Sequence, residues 1–187
     1  MEQVVDDKDL LRRIASGDQP AMRALFARHH LRVHRFVVRL IGHEANAEDV
    51  TNETFLGVWR NASGYDGRAA VSTWVLSIAH NKAVSFLRKR RETPLDEDAA
   101  VRIADDADDP ETMASKADKG TQIRSCMERL SPDHRQIIDL VYYHEKTIPE
   151  ISDVLGIPHG TVKTRMFYAR KRLGEHLRAA GVDRGWP

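Results

Sequence analysis

Apolar side chains recur along this chain at intervals of three and four residues and almost nowhere in strict alternation. Leu10, Leu11 and Ile14 open the pattern; Met22, Leu25 and Phe26 resume it, and Val33, Phe36, Val37, Leu40 and Ile41 carry it on. That period gathers the apolar groups on one face of a helix. Breakers divide the run. Gly17, Asp18 and Pro20 close one helix and open the next, with Asp18 as cap and Pro20 in the first turn, and Gly42 ends the second. A third helix is predicted from Ala45 to Trp59. The glycines and small polar residues of Asn61 to Ser72 read as a loop, and a fourth helix follows from about Ser72. It carries Trp74, Val75, Ile78, Ala79, Ala83, Phe86 and Leu87, passes through Arg88, Lys89, Arg90 and Arg91, and stops at Thr93 and Pro94.

The pattern then lapses. Residues 92–118 contain Asp96, Glu97, Asp98, Asp105, Asp106, Asp108 and Asp109 with few large apolar groups, too little burial to offset the entropy of ordering, so a flexible linker is expected. Periodicity returns with Ile123, Met127 and Leu130; Ser131 then caps a helix opened by Pro132 and holding Ile137, Ile138, Leu140 and Val141. The expected fold is all-α: a four-helix domain over 1–91, an acidic linker over 92–120, and a helix-turn-helix domain over 121–187.

Charge sharpens that division. The net charge is +1, yet the first stretch carries +5, the linker −7 and the last stretch +3. Two basic bodies joined by an acidic strap suit a protein whose folded parts meet polyanions. Cys126 is the single cysteine, which excludes an internal disulfide and any site built on several thiolates. The acidic N-terminal residues lack the basic and apolar run of an export signal, and a cytoplasmic protein is expected.

The strongest local signal is TIPEISDVLGIPHGTVKTRMFYARKRL, Thr147 to Leu173. Ile148, Ile151 and Leu155 are expected to form one stripe, Gly156 the turn, Ile157 the wedge between helices, and Pro158 the start of the next helix. In that helix Val162, Met166, Ala169 and Leu173 face inward. The opposite face presents Thr164, Phe167, Tyr168 and Lys171, with Lys163, Arg165, Arg170 and Arg172 on its flanks, His159 and Thr161 as further DNA-contact candidates at its start, and no carboxylate from His159 to Gly174. Cations and free amides bind phosphates, while Thr164, Lys163 and the Phe167 ring suit base edges and thymine methyls in a major groove. An ordinary solvated cationic face is the bland alternative, but it would mix in acidic partners.

Three segments carry a family resemblance. AEDVTNETFLGVW, Ala47 to Trp59, resembles the polymerase-binding helix of extracytoplasmic-function (ECF) sigma factors of the sigma-70 family; STWVLSIAHNKAVSFLRKRR, Ser72 to Arg91, resembles their promoter-melting helix; and Leu130 to Leu173 resembles their minus-35 domain. The resemblance implies that Glu48, Asp49, Val50, Glu53, Phe55 and Leu56 meet the clamp helices of core RNA polymerase. It implies that Tyr65, Asp66 and Arg68 of the loop, with Trp74, His80, Asn81, Lys82 and Arg88 of the following helix, hold the separated minus-10 strand. It further implies contact with the polymerase flap, an acidic strap near the RNA exit path, promoter DNA as ligand, and an anti-sigma factor as regulator. On its neighbours alone, Trp74 reads as core, and Glu48, Asp49 and Glu53 as solvated carboxylates near a helix N-terminus. Thr51 and Asn52 stand where relatives more often carry an aliphatic residue and Gln, and Tyr168 where many carry a base.

No phosphate-cradling glycine loop, nucleophile elbow or paired carboxylates are visible, and neither a cofactor nor an active site is expected. His29, His30 and His34 lie within about one turn of helix, but no carboxylate or thiol stands beside them at ligand spacing, so a metal is not expected. Two rivals remain at this point: a stand-alone helix-turn-helix repressor or activator, and, further off, a histidine-metal hydrolase.

Overall fold

The structure is a computed structural model and describes residues 5–92 and 120–182. Most of the acidic stretch 92–120 thus lies outside the described residues. Among those described there is no strand, and the chain divides into two compact units.

The first unit is built on four helices, α1 (Asp7–Ala15), α2 (Gln19–Ile41), α3 (Glu44–Asn61) and α4 (Val71–Glu92), with one short 3-10 turn at Ala62–Gly64. Each junction follows from local chemistry. The Asp18 carboxylate accepts from the Ala21 amide at 3.0 Å and from Arg13 Nε at 2.7 Å, so one side chain starts α2 and ties it to the end of α1. Those two hydrogen bonds, the amide first, hold its pKa below the ordinary value of 3.8. Gly42, at φ 74°, ends α2 with its amide on the Val38 carbonyl.

α2 packs on α1, α3 and α4, and α3 packs on α4. Their inward stripes supply Leu10, Leu11, Ile14, Leu25, Phe36 and Leu76, all fully buried. Thr51 and Thr54 are also buried, and each hydroxyl donates to the carbonyl four residues back, at 2.7 and 2.8 Å. The hydroxyl protons of two buried groups are satisfied within α3 that way. Gly57 sets how closely α3 and α4 approach, because a Cβ there would stand 3.1 Å from Ile78 Cγ2. The amino-terminal end of α1 is pinned separately. Arg28 donates to Asp7 Oδ1 at 2.8 Å and to the Val5 carbonyl at 2.6 Å, and His29 Nε2 lies 2.6 Å from Asp7 Oδ2.

Beyond the acidic stretch the chain forms a helix over residues 120–128 (α5), α6 (Pro132–Tyr142), α7 (Ile148–Leu155) and α8 (His159–Ala179). Cys126, Met127 and Leu130 join Ile138 of α6 and Ala169, Leu173 and Leu177 of α8 in one buried cluster. The thiol is therefore a small apolar packing group. Ser131 caps α6 by accepting from the His134 amide. Arg135 reaches back to the carbonyls of Met127, Glu128 and Leu130, closing the orphan end of α5.

Before α7, the Glu150 carboxylate accepts from the Thr147 amide at 3.0 Å, the Thr147 hydroxyl at 2.9 Å and Lys146 Nζ at 3.0 Å. The stripe expected on α7 needs correcting. Ile151 and Val154 are its buried residues, while Ile148 and Leu155 are half-buried at its margins. Three residues apart, Ile151 and Val154 straddle the centre of the inward face. Gly156, at φ 65°, makes the left-handed turn into α8.

Candidate nucleic-acid interface

On α8 the helical period separates two faces cleanly. Val162, Ala169 and Leu173 are buried and Met166 is half-buried, as the spacing predicts. Opposite them Lys163, Thr164, Phe167, Tyr168 and Lys171 are exposed, with His159 at the helix start. Phe167 and Tyr168 are 64% and 51% exposed, and their rings meet edge to face at 5.4 Å, so a pair of aromatic groups stands in solvent with no core role. The Thr164 hydroxyl donates to the Gly160 carbonyl at 3.0 Å, which uses its proton and leaves its oxygen as an acceptor. Thr161 is half-buried.

Two arginines of the expected set are engaged by α6. Arg165 Nη2 lies 3.1 Å from Asp133 Oδ2, and the Arg170 guanidinium sits over the Tyr142 ring at 5.7 Å. Sequence spacing alone does not reveal either partner, because both come from a different helix.

In the first unit the expected residues split. Glu48, Asp49 and Glu53 are exposed along α3, and Leu56 is 47% exposed beside them. Val50 and Phe55 do not belong to that surface: they are 5% and 3% exposed, and the Phe55 ring packs on Phe26 at 4.8 Å. They are corrected to core residues that hold α3 in place, since the inward stripe from Ala47 to Val58 passes through both positions. An exposed group missed from sequence is Leu31 of α2, at 57%. Its signal was available, for it is a large apolar residue among Arg28, Arg32 and Arg35 on that helix's outer side.

His30 and His34 stack at 5.9 Å between α2 and α3, and Thr51 Oγ1 lies 3.4 Å from His34 Nδ1. Burial first, then the neighbouring His34, lowers the His30 pKa below 6.5, against an opposing pull from Glu48. Among the described residues no group of three or more His, Cys, Asp or Glu is placed to hold a metal ion.

The loop between α3 and α4 is locally ordered. Asp66 accepts from the Arg68 amide at 3.0 Å and pairs with Arg68 Nε at 3.2 Å around Gly67, whose φ is 76°. The Tyr65 hydroxyl donates to the Ala69 carbonyl, and its ring meets Trp74 at 5.4 Å. Trp74 is half-buried, so the core packing read from its neighbours is replaced by an aromatic seat at the base of the loop. Further along α4, Asn81 and Arg88 are exposed on one face, about 10 Å apart along the helix axis, and His80 is half-buried.

Lys82 belongs to that helix but points back. Its Nζ lies 3.0 Å from Glu53 Oε2, joining a residue expected at the DNA to one expected at the polymerase. The hydrogen bond from Lys82 depresses the Glu53 pKa.

The family model for sigma-70 region 2 matches residues 25–93, and that for sigma-70 region 4 matches residues 120–173. The chain is 32% identical over 170 residues to the ECF RNA polymerase sigma factor SigK of Mycobacterium tuberculosis strain H37Rv, spanning 88% of this chain and 89% of SigK. It is 32% identical over 176 residues to SigK of Mycobacterium ulcerans, spanning 91% and 93%. Among solved structures, CnrH in complex with the cytosolic domain of CnrY resembles it with a TM-score of 0.68 at 24% identity, covering 92% of this chain and 97% of CnrH. RpoE of Bartonella quintana, solved with the anti-sigma factor NepR, gives 0.67 at 22% identity, covering 87% and 98%. These two likenesses establish a shared fold. No helix among the described residues is long and apolar enough to cross a membrane.

Proposed function

The chain belongs to the extracytoplasmic-function sigma factors of the sigma-70 family, and on that premise we propose how its parts divide the work of starting transcription. It is an alternative sigma factor, which joins core RNA polymerase and directs it to a chosen set of promoters. Residues 1–91 act as the polymerase-binding and minus-10 domain, 121–187 as the minus-35 domain, and the acidic 92–120 as the tether between them. The exposed carboxylates Glu48, Asp49 and Glu53, beside Leu56, offer the polymerase clamp an acidic edge with an apolar contact.

The ordered loop at Tyr65, Asp66 and Arg68, with Trp74 behind it, receives a base turned out of the minus-10 duplex. Asn81 and Arg88 track the separated strand along α4, with His80 and Lys82 at its edge. On α8, Lys163, Arg165, Arg170 and Lys171 bind phosphates with the help of the amides at His159 and Thr161. Thr164, Phe167 and Tyr168 face the bases. The polymerase supplies the chemistry, and no catalytic residue, cofactor or metal is assigned to this chain. It works in the cytoplasm, where polymerase and promoter meet. An anti-sigma factor holds it in reserve, as NepR is bound to RpoE in Bartonella quintana.

The observation that carries this reading is the outer face of α8 from His159 to Gly174, free of carboxylates and cationic and aromatic at once, in the same chain as an acid-edged α3. Mixing the purified chain with core polymerase and transcribing genomic fragments tests it. Initiation at discrete sites is expected. A chain that binds duplex DNA tightly alone and never confers initiation overturns it in favour of a stand-alone repressor. Lys163→Ala is expected to weaken minus-35 binding and to lower the log–log salt slope by about 0.9, the release of one phosphate counterion.

A further inference from the structure

Arg165 and Arg170 are five positions apart, which at 3.6 residues per turn sets them about 140° apart around α8. They fall on either side of the buried stripe formed by Val162, Ala169 and Leu173. Each meets a different end of α6. Asp133, in the first turn of α6, stands 3.1 Å from Arg165 Nη2, and Tyr142, its last residue, lies under the Arg170 guanidinium at 5.7 Å.

We propose that α6 is a positioning element for the recognition helix: Asp133 and Tyr142 hold the guanidinium groups of Arg165 and Arg170 ready to meet the two phosphate strands that border the groove. The proposal rests on the minus-35 reading of α8 given above and adds to it two residues outside that helix.

The chemistry of the two contacts fits pre-ordering better than stabilisation. An ion pair whose side chains are 33% and 58% exposed contributes little to folding. It does, however, remove rotamer freedom from a long side chain before DNA arrives. A guanidinium carries five N–H donors in a rigid fork, and the contact with Asp133 is made at Nη2, leaving the other donors for a phosphate. The contact with Tyr142 brings Arg170 Cζ within 5.7 Å of the ring centroid, an attraction to the ring's electrons rather than to a carboxylate. The recognition helix thus presents two flanking cations whose ordering cost has been met within the fold, while Lys163 and Lys171 keep flexible stems.

The test uses the full chain assembled with core polymerase, and a promoter fragment that the wild-type assembly retains from genomic DNA. Asp133→Ala and Tyr142→Ala are each expected to loosen promoter binding by about three- to tenfold, the size of immobilising one rotamer-rich side chain, while the salt slope stays at the wild-type value. Arg165→Ala instead lowers the slope by about 0.9. The double variant Asp133→Ala, Arg165→Ala binds no more weakly than Arg165→Ala alone, and Tyr142→Phe binds like wild type. Asp133→Asn keeps the shape of the side chain and serves as the reference if the alanine variant folds poorly.

Binding by Asp133→Ala and Asp133→Asn as tight as wild type, or tighter, overturns the proposal, as does an equal further loss when Asp133→Ala is added to Arg165→Ala. A wild-type assembly that retains no promoter fragment overturns the minus-35 reading itself, so the two failures are told apart.

Discussion

Helices α3 and α8 both show one face to the core and one to solvent, but they allot their residues differently. On α3 the segment that resembles a polymerase-binding motif is shared between the two faces: Val50 and Phe55 are inside, and Glu48, Asp49, Glu53 and Leu56 are outside. On α8 the buried stripe consists of apolar residues alone, and its outer face carries cations and two exposed rings that no core requires. A motif on α3 therefore mixes residues that build the surface with residues that form it. On α8 the surface is legible by itself, and the structure adds the partners that hold it.

That contrast breaks most sharply at Phe55. Phe55→Ala removes a ring packed against Phe26 and is expected to destabilise the first unit by about 3–5 kcal/mol in denaturant unfolding. Asp49→Ala should leave unfolding unchanged and weaken assembly with core polymerase by about tenfold or more, the loss of one charge-assisted contact of about 1.5–3 kcal/mol. If Asp49→Ala assembles like the parent in a binding titration, the outward half of α3 has been misassigned.

The turn into α8 offers a smaller test. Gly156 turns into α8 at φ 65°, where a side chain costs about 1–2 kcal/mol, so Gly156→Ala should lower the melting temperature while leaving the outer face of α8 chemically intact. Glu53→Gln is milder still. It weakens the exposed link to Lys82, which water and salt screen, so unfolding should barely change. Promoter binding by the assembled polymerase should hold or improve as Lys82 is released, which a competition assay measures.

Acid gives the smallest effect and reads the α1 anchor. Burial alone raises the Asp7 pKa, but hydrogen bonds from Arg28 and His29 outweigh it and leave the value below 3.8. A depressed carboxylate contributes stability above its unfolded pKa and loses it as pH falls through the folded one. The pin on α1 should therefore persist at neutral pH and weaken only below about pH 3.8, and Asp7→Asn should flatten that part of the stability curve.

Much of this was legible from residues alone because it is local. Gly17, Asp18 and Pro20 mark the first junction, Ser131 and Pro132 open α6, and the spacing of Val162, Ala169 and Leu173 orients α8, all through chemistry confined to a few neighbouring residues. Reading went astray where one helical face has two claimants. Val154 was passed over for Leu155, Val50 and Phe55 were placed outward with their motif, and Trp74 was claimed both by the core, on its neighbours, and by the minus-10 strand, on the resemblance.

The chain's own order of apolar, charged and breaker residues determines the helices, the segregation of charge and the character of the α8 face, because each depends on spacing along one backbone. Tertiary structure alone decides that Tyr65 seats against Trp74, that Lys82 meets Glu53, and that α6 supplies Asp133 and Tyr142 to two arginines of α8. Those contacts join residues on different elements, and their geometry is set by how the helices pack.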